Sequence, residues 1–269
     1  MKTLPRRTFL AGCGAALVAA PAPGGATKAR FTLGIGTYTY HSLSIDEMIE
    51  HLVAIQVRRI ELSSPDYFLP SLKMESIPVL KAKLDRAKIT VDSYFCGSIN
   101  NESDLNRTVL AAKGLGSSHV TGDGPGSSFK MIDERFTREG LKFGIHNHFF
   151  KGRKFEFESA DDLLRGIEGH SDTIGVTLDV GHLAILGHDP IEALNKVRSR
   201  LHMVHIKDIA RQGDDENVML GTGIAKSAEV IDWLIRNKFA GPVELEYEAG
   251  GDPRPGVAKY VEYMRQRTS

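Results

Sequence analysis

Eight short runs rich in β-branched and aromatic residues alternate with eight amphipathic runs between residue 31 and the end of the chain. A strand followed by a helical crossover lies parallel to the strand that comes next, so this alternation specifies a parallel sheet. The predicted strands are 31–40, 58–64, 90–97, 117–123, 142–150, 174–181, 201–209 and 242–248. The predicted helices are 44–56, 76–88, 103–115, 129–140, 160–169, 190–200, 228–238 and 257–267. Ser44 with Glu47 reads as a capping box, Ser76 and Ser159 stand where N-caps belong, and Pro190 suits a first turn. Eight such units in one chain of this length predict an α/β fold, a (β/α)8 TIM barrel, as a single domain over residues 29–269. A doubly wound open sheet is the rival. Its Gly-rich first turn is missing, because the first strand runs into Gly36-Thr37-Tyr38-Thr39-Tyr40-His41.

Residues 1–28 have a different character. Arg6-Arg7-Thr8-Phe9-Leu10 is followed by an apolar stretch to Ala20 and then by Pro21-Ala22-Pro23-Gly24-Gly25-Ala26. Charged, apolar and small-residue regions in that order predict a twin-arginine-type signal peptide and export to the periplasm. The apolar part is too short to span a bilayer as a helix. Leu10-Ala11-Gly12-Cys13 fits a lipoprotein box, but it precedes most of the apolar stretch, so lipid anchoring at Cys13 is the weaker reading. With Cys13 removed, Cys96 is the remaining thiol, and no intramolecular disulfide follows.

Charge narrows the partners. Lys plus Arg and Asp plus Glu both number 34, so the formal net charge is zero. A neutral chain has no general field with which to hold nucleic acid or an anionic membrane. The expectation is a small-molecule partner, with no membrane span beyond the signal and with a homo-oligomer left open.

Chemistry enters through side-chain parity. Along a barrel strand alternate residues face the interior, and the active site lies at the C-terminal strand ends. In Val243-Glu244-Leu245-Glu246-Tyr247-Glu248 the odd positions are apolar or aromatic, so three glutamates are predicted to point inward. Carboxylates buried in that way demand cations or protons. By the same parity His205 and Lys207 face in on the seventh strand, Asp179 on the sixth, His146 and His148 on the fifth and Glu61 on the second. Gly181 permits a turn that swings His182 over the mouth. His202 is expected on the helix side, and His51 and His170 in solvent. Imidazoles and carboxylates delivered to one place by neighbouring strands suit one divalent ion such as Mn, Co, Zn or Mg.

Ile60-Glu61-Leu62, His146-Asn147-His148, Leu178-Asp179-Val180-Gly181-His182, Val204-His205-Ile206-Lys207-Asp208, Leu220-Gly221-Thr222-Gly223 and Glu246-Tyr247-Glu248 follow in this order. With them the chain resembles the xylose-isomerase-like TIM barrels of the sugar phosphate isomerase/epimerase group. The resemblance implies a divalent ion held by His146, Asp179, His205 and Glu246. It implies substrate contacts from His182 and Lys207, with Glu61 lining the pocket. Glu248 is read as a further substrate contact and Glu246 as catalytic base and ligand, with His148 or His146 opposite; whether His146, His148 or both hold the ion stays open. Two departures stand out. His146 occupies a position where epimerases of the group carry a second metal-bound glutamate, and Thr222 replaces a frequent loop glutamate.

The activity expected from this resemblance is isomerisation or epimerisation of a sugar or keto-sugar through proton abstraction beside a carbonyl. His146 in place of glutamate opens a lyase or dehydratase reaction on a 3-keto-glycoside or related keto-sugar as the alternative. A non-catalytic secreted sugar-binding barrel is the further alternative. An apurinic endonuclease of the same superfamily is disfavoured, because the resemblance gives that class three metals and extra histidines on the second and third strands.

Overall fold

The computed structural model describes residues 29–63 and 74–268. The signal-peptide reading of residues 1–28 therefore lies outside the described residues. Eight parallel strands close into a barrel: β1 (Thr32–Gly36), β2 (Arg59–Ser63), β3 (Thr90–Ser98), β4 (His119–Gly124), β5 (Lys142–His146), β6 (Ile174–Asp179), β7 (Leu201–Ile206) and β10 (Pro242–Leu245). They pair in chain order around the ring, and β10 closes on β1 through Gly34 opposite Glu244. Two further two-residue strands, β8 (Asp208–Ile209) and β9 (Asn217–Val218), form an antiparallel ribbon between β7 and β10.

Helices cover the outside: α1 (Ile45–Ala54), α2 (Ile77–Arg86), α3 (Glu102–Leu115), α4 (Phe129–Glu139), α5 (Ala160–Ile167), α6 (Val180–Ile185), α7 (Pro190–Val197), α8 (Ser227–Arg236) and α9 (Arg254–Thr268). Local chemistry starts several of them. Ser44 and Glu47 form the expected capping box on α1, and Ser159 forms one with Asp162 on α5. Ser76 makes no capping hydrogen bond; a short 3-10 turn, Met74–Ser76, leads into α2 instead, with Pro78 in its first turn.

Parity divides the sheet into two chemistries. Outward residues such as Ile60, Leu62, Phe143, Ile145, Val176, Leu178, Val204, Ile206, Val243 and Leu245 are buried against the helices and form the apolar core. Inward residues are polar and equally buried: Glu61, Ser93, Thr121, Thr177, His205 and Glu244. Ser93 Oγ lies 3.0 Å from Thr121 Oγ1, which lies 3.1 Å from Thr177 Oγ1. His205 Nε2 lies 2.8 Å from Glu61 Oε1. A polar belt of this kind, in place of the usual branched apolar layers, gives the site a polar floor.

Several strands end sooner than their apolar patterns predict. The first turns into a 3-10 segment, Thr37–Tyr40, and the fifth and eighth stop at His146 and Leu245. His148, Glu246 and Glu248 thus stand on the connections just above the barrel. The sixth strand stops at Asp179, whose carboxylate accepts the backbone N–H of His182 at 2.8 Å and starts the short helix α6. His202 departs from the expected helix side. The β6–β7 register skips it between the Val176–Leu201 and Thr177–Met203 pairs, and its ring comes within 6.3 Å of His119 at the N-terminal end of the barrel. His51 is not left to solvent either, because its Nδ1 lies 3.0 Å from the Tyr40 hydroxyl.

Where β1 meets β10, the bare inner side of β1 leaves room for the Glu244 carboxyl. A Cβ built on Gly34 would meet Glu244 Oε2 at 2.2 Å. Gly34→Ala should therefore displace a fully buried carboxyl in a packed interior, at a cost of about 1–3 kcal/mol. Urea denaturation checks this, and an unchanged midpoint would show that the inner face of β1 has room to spare.

Candidate metal and substrate site

Above the polar floor the strand ends open into a cavity of about 560 Å³. Glu61, Asp123, His146, His148, His182, Glu246 and Glu248 line it together with Tyr38, Phe95, Phe149 and Phe155. Strand parity and the Gly181 turn direct Glu61, His146, His148, His182, Glu246 and Glu248 of these to this place. Asp179, His205 and Lys207 sit behind the lining, each essentially without exposure.

The four residues expected to hold an ion converge. His146 Nε2 lies 3.7 Å from Asp179 Oδ2, His205 Nδ1 lies 3.9 Å from the same oxygen, and His205 Nδ1 lies 3.4 Å from Glu246 Oε1. Ligands bound at roughly 2.1 Å to one ion stand about 3 to 3.5 Å apart, so these separations need only a small contraction. His146 Nε2 and His205 Nδ1 are buried and make no hydrogen bond among the described residues, and both face Asp179 Oδ2, which Lys207 Nζ approaches to 3.0 Å. Buried polar atoms are normally satisfied, and here two imidazole nitrogens without a hydrogen bond face one carboxylate oxygen. The donor set, imidazole nitrogen with carboxylate oxygen, fits a divalent ion. Three groups, Asp123–His146–His148 and His146–Asp179–His182, which share His146, and Glu61–His205–Glu246, have ligand atoms close enough to hold one.

Charge makes the same point. Five carboxylates, Glu61, Asp123, Asp179, Glu246 and Glu248, surround the cavity or lie just behind it. Lys207 answers part of this excess. Its Nζ lies 3.0 Å from Asp179 Oδ2, 3.0 Å from Glu246 Oε2, 3.0 Å from Glu248 Oε1 and 3.1 Å from His182 Nε2. Burial alone would lower the Lys207 pKa, but Asp179, Glu246 and Glu248 raise it well above the usual lysine range. The residue is charged and fully buried, so the substrate contact expected of it is replaced by a place beneath three carboxylates. His182 is pushed well below the usual histidine range, first by burial and then by Lys207 against the pull of Asp179, so it stands as a neutral ring. His205 shows the opposite balance. Burial would lower it, but Glu246 and Glu61 on its two sides outweigh that and raise it to about 9. Glu61, expected at the substrate, therefore also supports His205.

The framework around these groups is hydrogen-bonded in detail. Asn147 clamps Asp179, donating from Nδ2 to its carbonyl and accepting its N–H at Oδ1, both at 2.9 Å. Asp208 accepts from the backbone N–H of Ile209, Gly221 and Ala225 and from the Ser227 hydroxyl, and so ties down the loop between β9 and α8. Thr222 in that loop donates to the Met219 carbonyl at 2.7 Å as part of a turn. His148 stacks between Phe155 and His182, with ring centroids 4.5 and 4.9 Å away, and its Nδ1 lies 3.2 Å from Asp123 Oδ2. His41 stacks on Tyr38 at 5.2 Å on the rim. Asp123 is the residue that sequence reasoning missed. Its parity, shared with the inward Thr121, was the available signal.

The sequence profile of xylose isomerase-like TIM barrels matches residues 126–267, more than half of the chain. An inosose dehydratase of Lacticaseibacillus casei is 27% identical over 90 residues, an alignment that covers 34% of this chain and 29% of that protein. The chain thus spans under a third of that relative's length. Among solved structures, a probable 3-DHS dehydratase involved in petrobactin synthesis from Bacillus anthracis superposes with a TM-score of 0.71 at 13% identity, covering 87% of this chain and 99% of the other. An L-ribulose 3-epimerase superposes with a TM-score of 0.70 at 17% identity, covering 88% and 94%. At these identities the superpositions speak to the fold.

A raised His205 makes metal uptake proton-coupled. In the metal-free protein its protonated form contributes stability that is fully present below the unfolded value near 6.5 and is lost as pH rises through about 9. A divalent ion needs the Nδ1 lone pair and displaces that proton. Titration calorimetry at pH 7.5 in buffers of different ionisation enthalpy should register about one proton released per ion, vanishing above the His205 pKa. Uptake without proton release at pH 7.5 would remove His205 from the ligand set.

Proposed function

The chain belongs to the xylose isomerase-like TIM barrel family, and we propose that it is a divalent-metal-dependent enzyme that removes a proton beside the carbonyl of a keto-sugar, isomerising or epimerising it. The observation that carries this reading is the convergence of two buried imidazole nitrogens without hydrogen bonds, His146 Nε2 and His205 Nδ1, on Asp179 Oδ2, with Glu246 Oε1 beside His205 at the edge of a polar cavity. His146, Asp179, His205 and Glu246 are the residues that would hold the ion. When bound, a divalent ion supplies a Lewis acid for the carbonyl and charge stabilisation for the enediolate.

The remaining chemistry falls to side chains. Glu246 presents Oε1 toward His205 and Oε2 to Lys207, so one oxygen is held while the carboxylate works as base on the carbon acid. Lys207 keeps Asp179 ionised by its fixed charge and holds Glu246 Oε2 at 3.0 Å. His148, on the β5 side of the cavity and three strands round the barrel from Glu246, holds or returns the proton from another direction. His182 and Glu248 supply neutral and charged hydrogen-bonding groups to hydroxyls, and the Tyr38, Phe149 and Phe155 rings give the sugar apolar walls. Residues 1–28 put the enzyme outside the cytoplasm in this reading, which favours an unphosphorylated sugar.

Elimination is the second reading, favoured by His146 standing where a paired glutamate would serve the opposite face. Its sequence relative and one structural neighbour are dehydratases, and the same first step leads there: after proton removal, the bond to a β-substituent breaks and water or an aglycone departs.

Solvent deuterium tests both. The protein loaded with Mn, Co, Zn or Mg should wash deuterium into the carbon beside the carbonyl of a keto-sugar, and Glu246→Gln should slow this by about 10²- to 10⁴-fold. A deuterated epimer or isomer supports the first reading, and a released aglycone or water with an unsaturated product supports the second. The absence of exchange and of product across keto-sugars with the metal-loaded protein would leave a sugar-binding barrel.

A further inference from the structure

We propose that Asp123 is a positioning residue that divides two neighbouring histidines between two tasks, turning His146 Nε2 to the ion and leaving His148 Nε2 for proton transfer. This rests on the metal-dependent reading above and assigns the part of each ring within it. Asp123 ends β4 with its side chain nearly buried, between the two rings. Its Oδ1 lies 3.3 Å from His146 Nδ1 and its Oδ2 lies 3.2 Å from His148 Nδ1. An ionised carboxylate only accepts hydrogen bonds, so the Nδ1 of His146 carries its proton toward it, and the same negative charge 3.2 Å from His148 Nδ1 favours a proton on that atom too. A neutral imidazole with Nδ1–H keeps its lone pair on Nε2.

His146 Nε2 is buried, makes no hydrogen bond among the described residues and faces Asp179 Oδ2. The edge of Phe95 packs against the same ring with centroids 5.4 Å apart, which limits its rotation. The His148 ring is held flat between Phe155 and His182 and lines the cavity. A carboxylate hydrogen-bonded to a ligating imidazole fixes its tautomer and raises its basicity. Asp123 therefore restores, one residue further out, the negative charge that a glutamate at position 146 would have brought to the ion. The rival arrangement is a cation held directly by Asp123, His146 and His148 through their Nδ1 atoms, whose ligand atoms are also mutually close. That arrangement leaves His146 Nε2 buried with nothing to bind.

Tautomers decide between them without reference to turnover. Nitrogen-15 spectra of the histidine rings, assigned with His146→Gln and His148→Gln, should show Nδ1–H and bare Nε2 for both residues in the metal-free wild type. Zinc should then shift Nε2 of His146 and leave His148 a free ring. Asp123→Asn keeps the shape but offers one acceptor and one donor, so one of the two rings must change tautomer. Zinc affinity from chelator competition should fall about 10- to 100-fold in this variant, with the stoichiometry still one. Wild-type rings protonated at Nε2, an unchanged zinc affinity in Asp123→Asn, or a second ion per chain that the variant loses would each overturn the proposal. If the wild type takes up no ion, the metal-dependent reading fails, and the metal-free ring spectra still show whether Asp123 sets both tautomers.

Discussion

Carboxylates in excess of cations inside a closed barrel are the constraint around which this structure is built. Glu61, Asp179 and Glu244 are almost wholly buried, and Glu246 is nearly so. Each needs a compensating proton, ammonium or ion. Glu244 takes a proton: burial and then the charges of Asp92 and Glu61 push it well above the usual carboxylate range. Asp179 and Glu246 take the Lys207 ammonium, and Glu61 with Glu246 takes a proton onto His205. One mobile positive charge thus already sits on a prospective ligand. On the proposed reading a divalent ion would exchange with that proton in a site whose field is already fixed, with no large rearrangement of the carboxylates.

That field is held by backbone contacts as much as by charge. Asp179 caps α6, accepts the His182 N–H and is clamped by Asn147, so its free oxygen has little freedom to turn away. Asp208 performs the equivalent service for the loop between β9 and α8 with four accepted hydrogen bonds. The Lys207-Asp208 pair therefore splits into a charge beneath the site and a strut beside it. Adjacent residues in one motif have opposite destinations because they lie on opposite sides of the chain as it leaves β7. Gly34 and Gly36 complete the arrangement by absence of side chains, since a Cβ on either would run into the carboxylate of Glu244 or Glu246.

Much of this was legible in the sequence because period-2 alternation carries both fold and site. The apolar residues at odd positions in 243–247 and at even positions in 174–180 fix which side faces the helices, and the acids and imidazoles follow by default. What escaped were departures from strict period. His202 is skipped by a register shift between β6 and β7, which a pattern of apolar residues does not reveal. The short helix α6 depends on Asp179 acting as a cap, while the same residue reads equally well as the end of a strand. Asp123 sits in a Gly-rich strand end, Gly122-Asp123-Gly124, with no apolar neighbour to show its side. Lys207 was placed inward correctly by parity, but parity says nothing about depth, and three carboxylates draw the ammonium down.

The same geometry bears on why an imidazole at position 146 is compatible with carbon-acid chemistry. Two glutamates on one ion give two bases of similar kind facing two sides of a substrate. On the proposed assignment His146 with Asp123 would be a ligand whose lone pair is committed to the ion, leaving it no second site from which to move a proton. Proton transfer away from Glu246 then falls to His148, a ring of different basicity held by the other oxygen of Asp123. Such a pair is asymmetric: a carboxylate that takes a proton from carbon and an imidazole that can give one to a departing or returning oxygen. Asymmetry of that kind serves elimination at least as readily as epimerisation. The partition between the two then depends on whether the substrate carries a leaving group within reach of His148, a property of the wall formed by Phe149, Phe155 and their neighbours above the ion-binding floor.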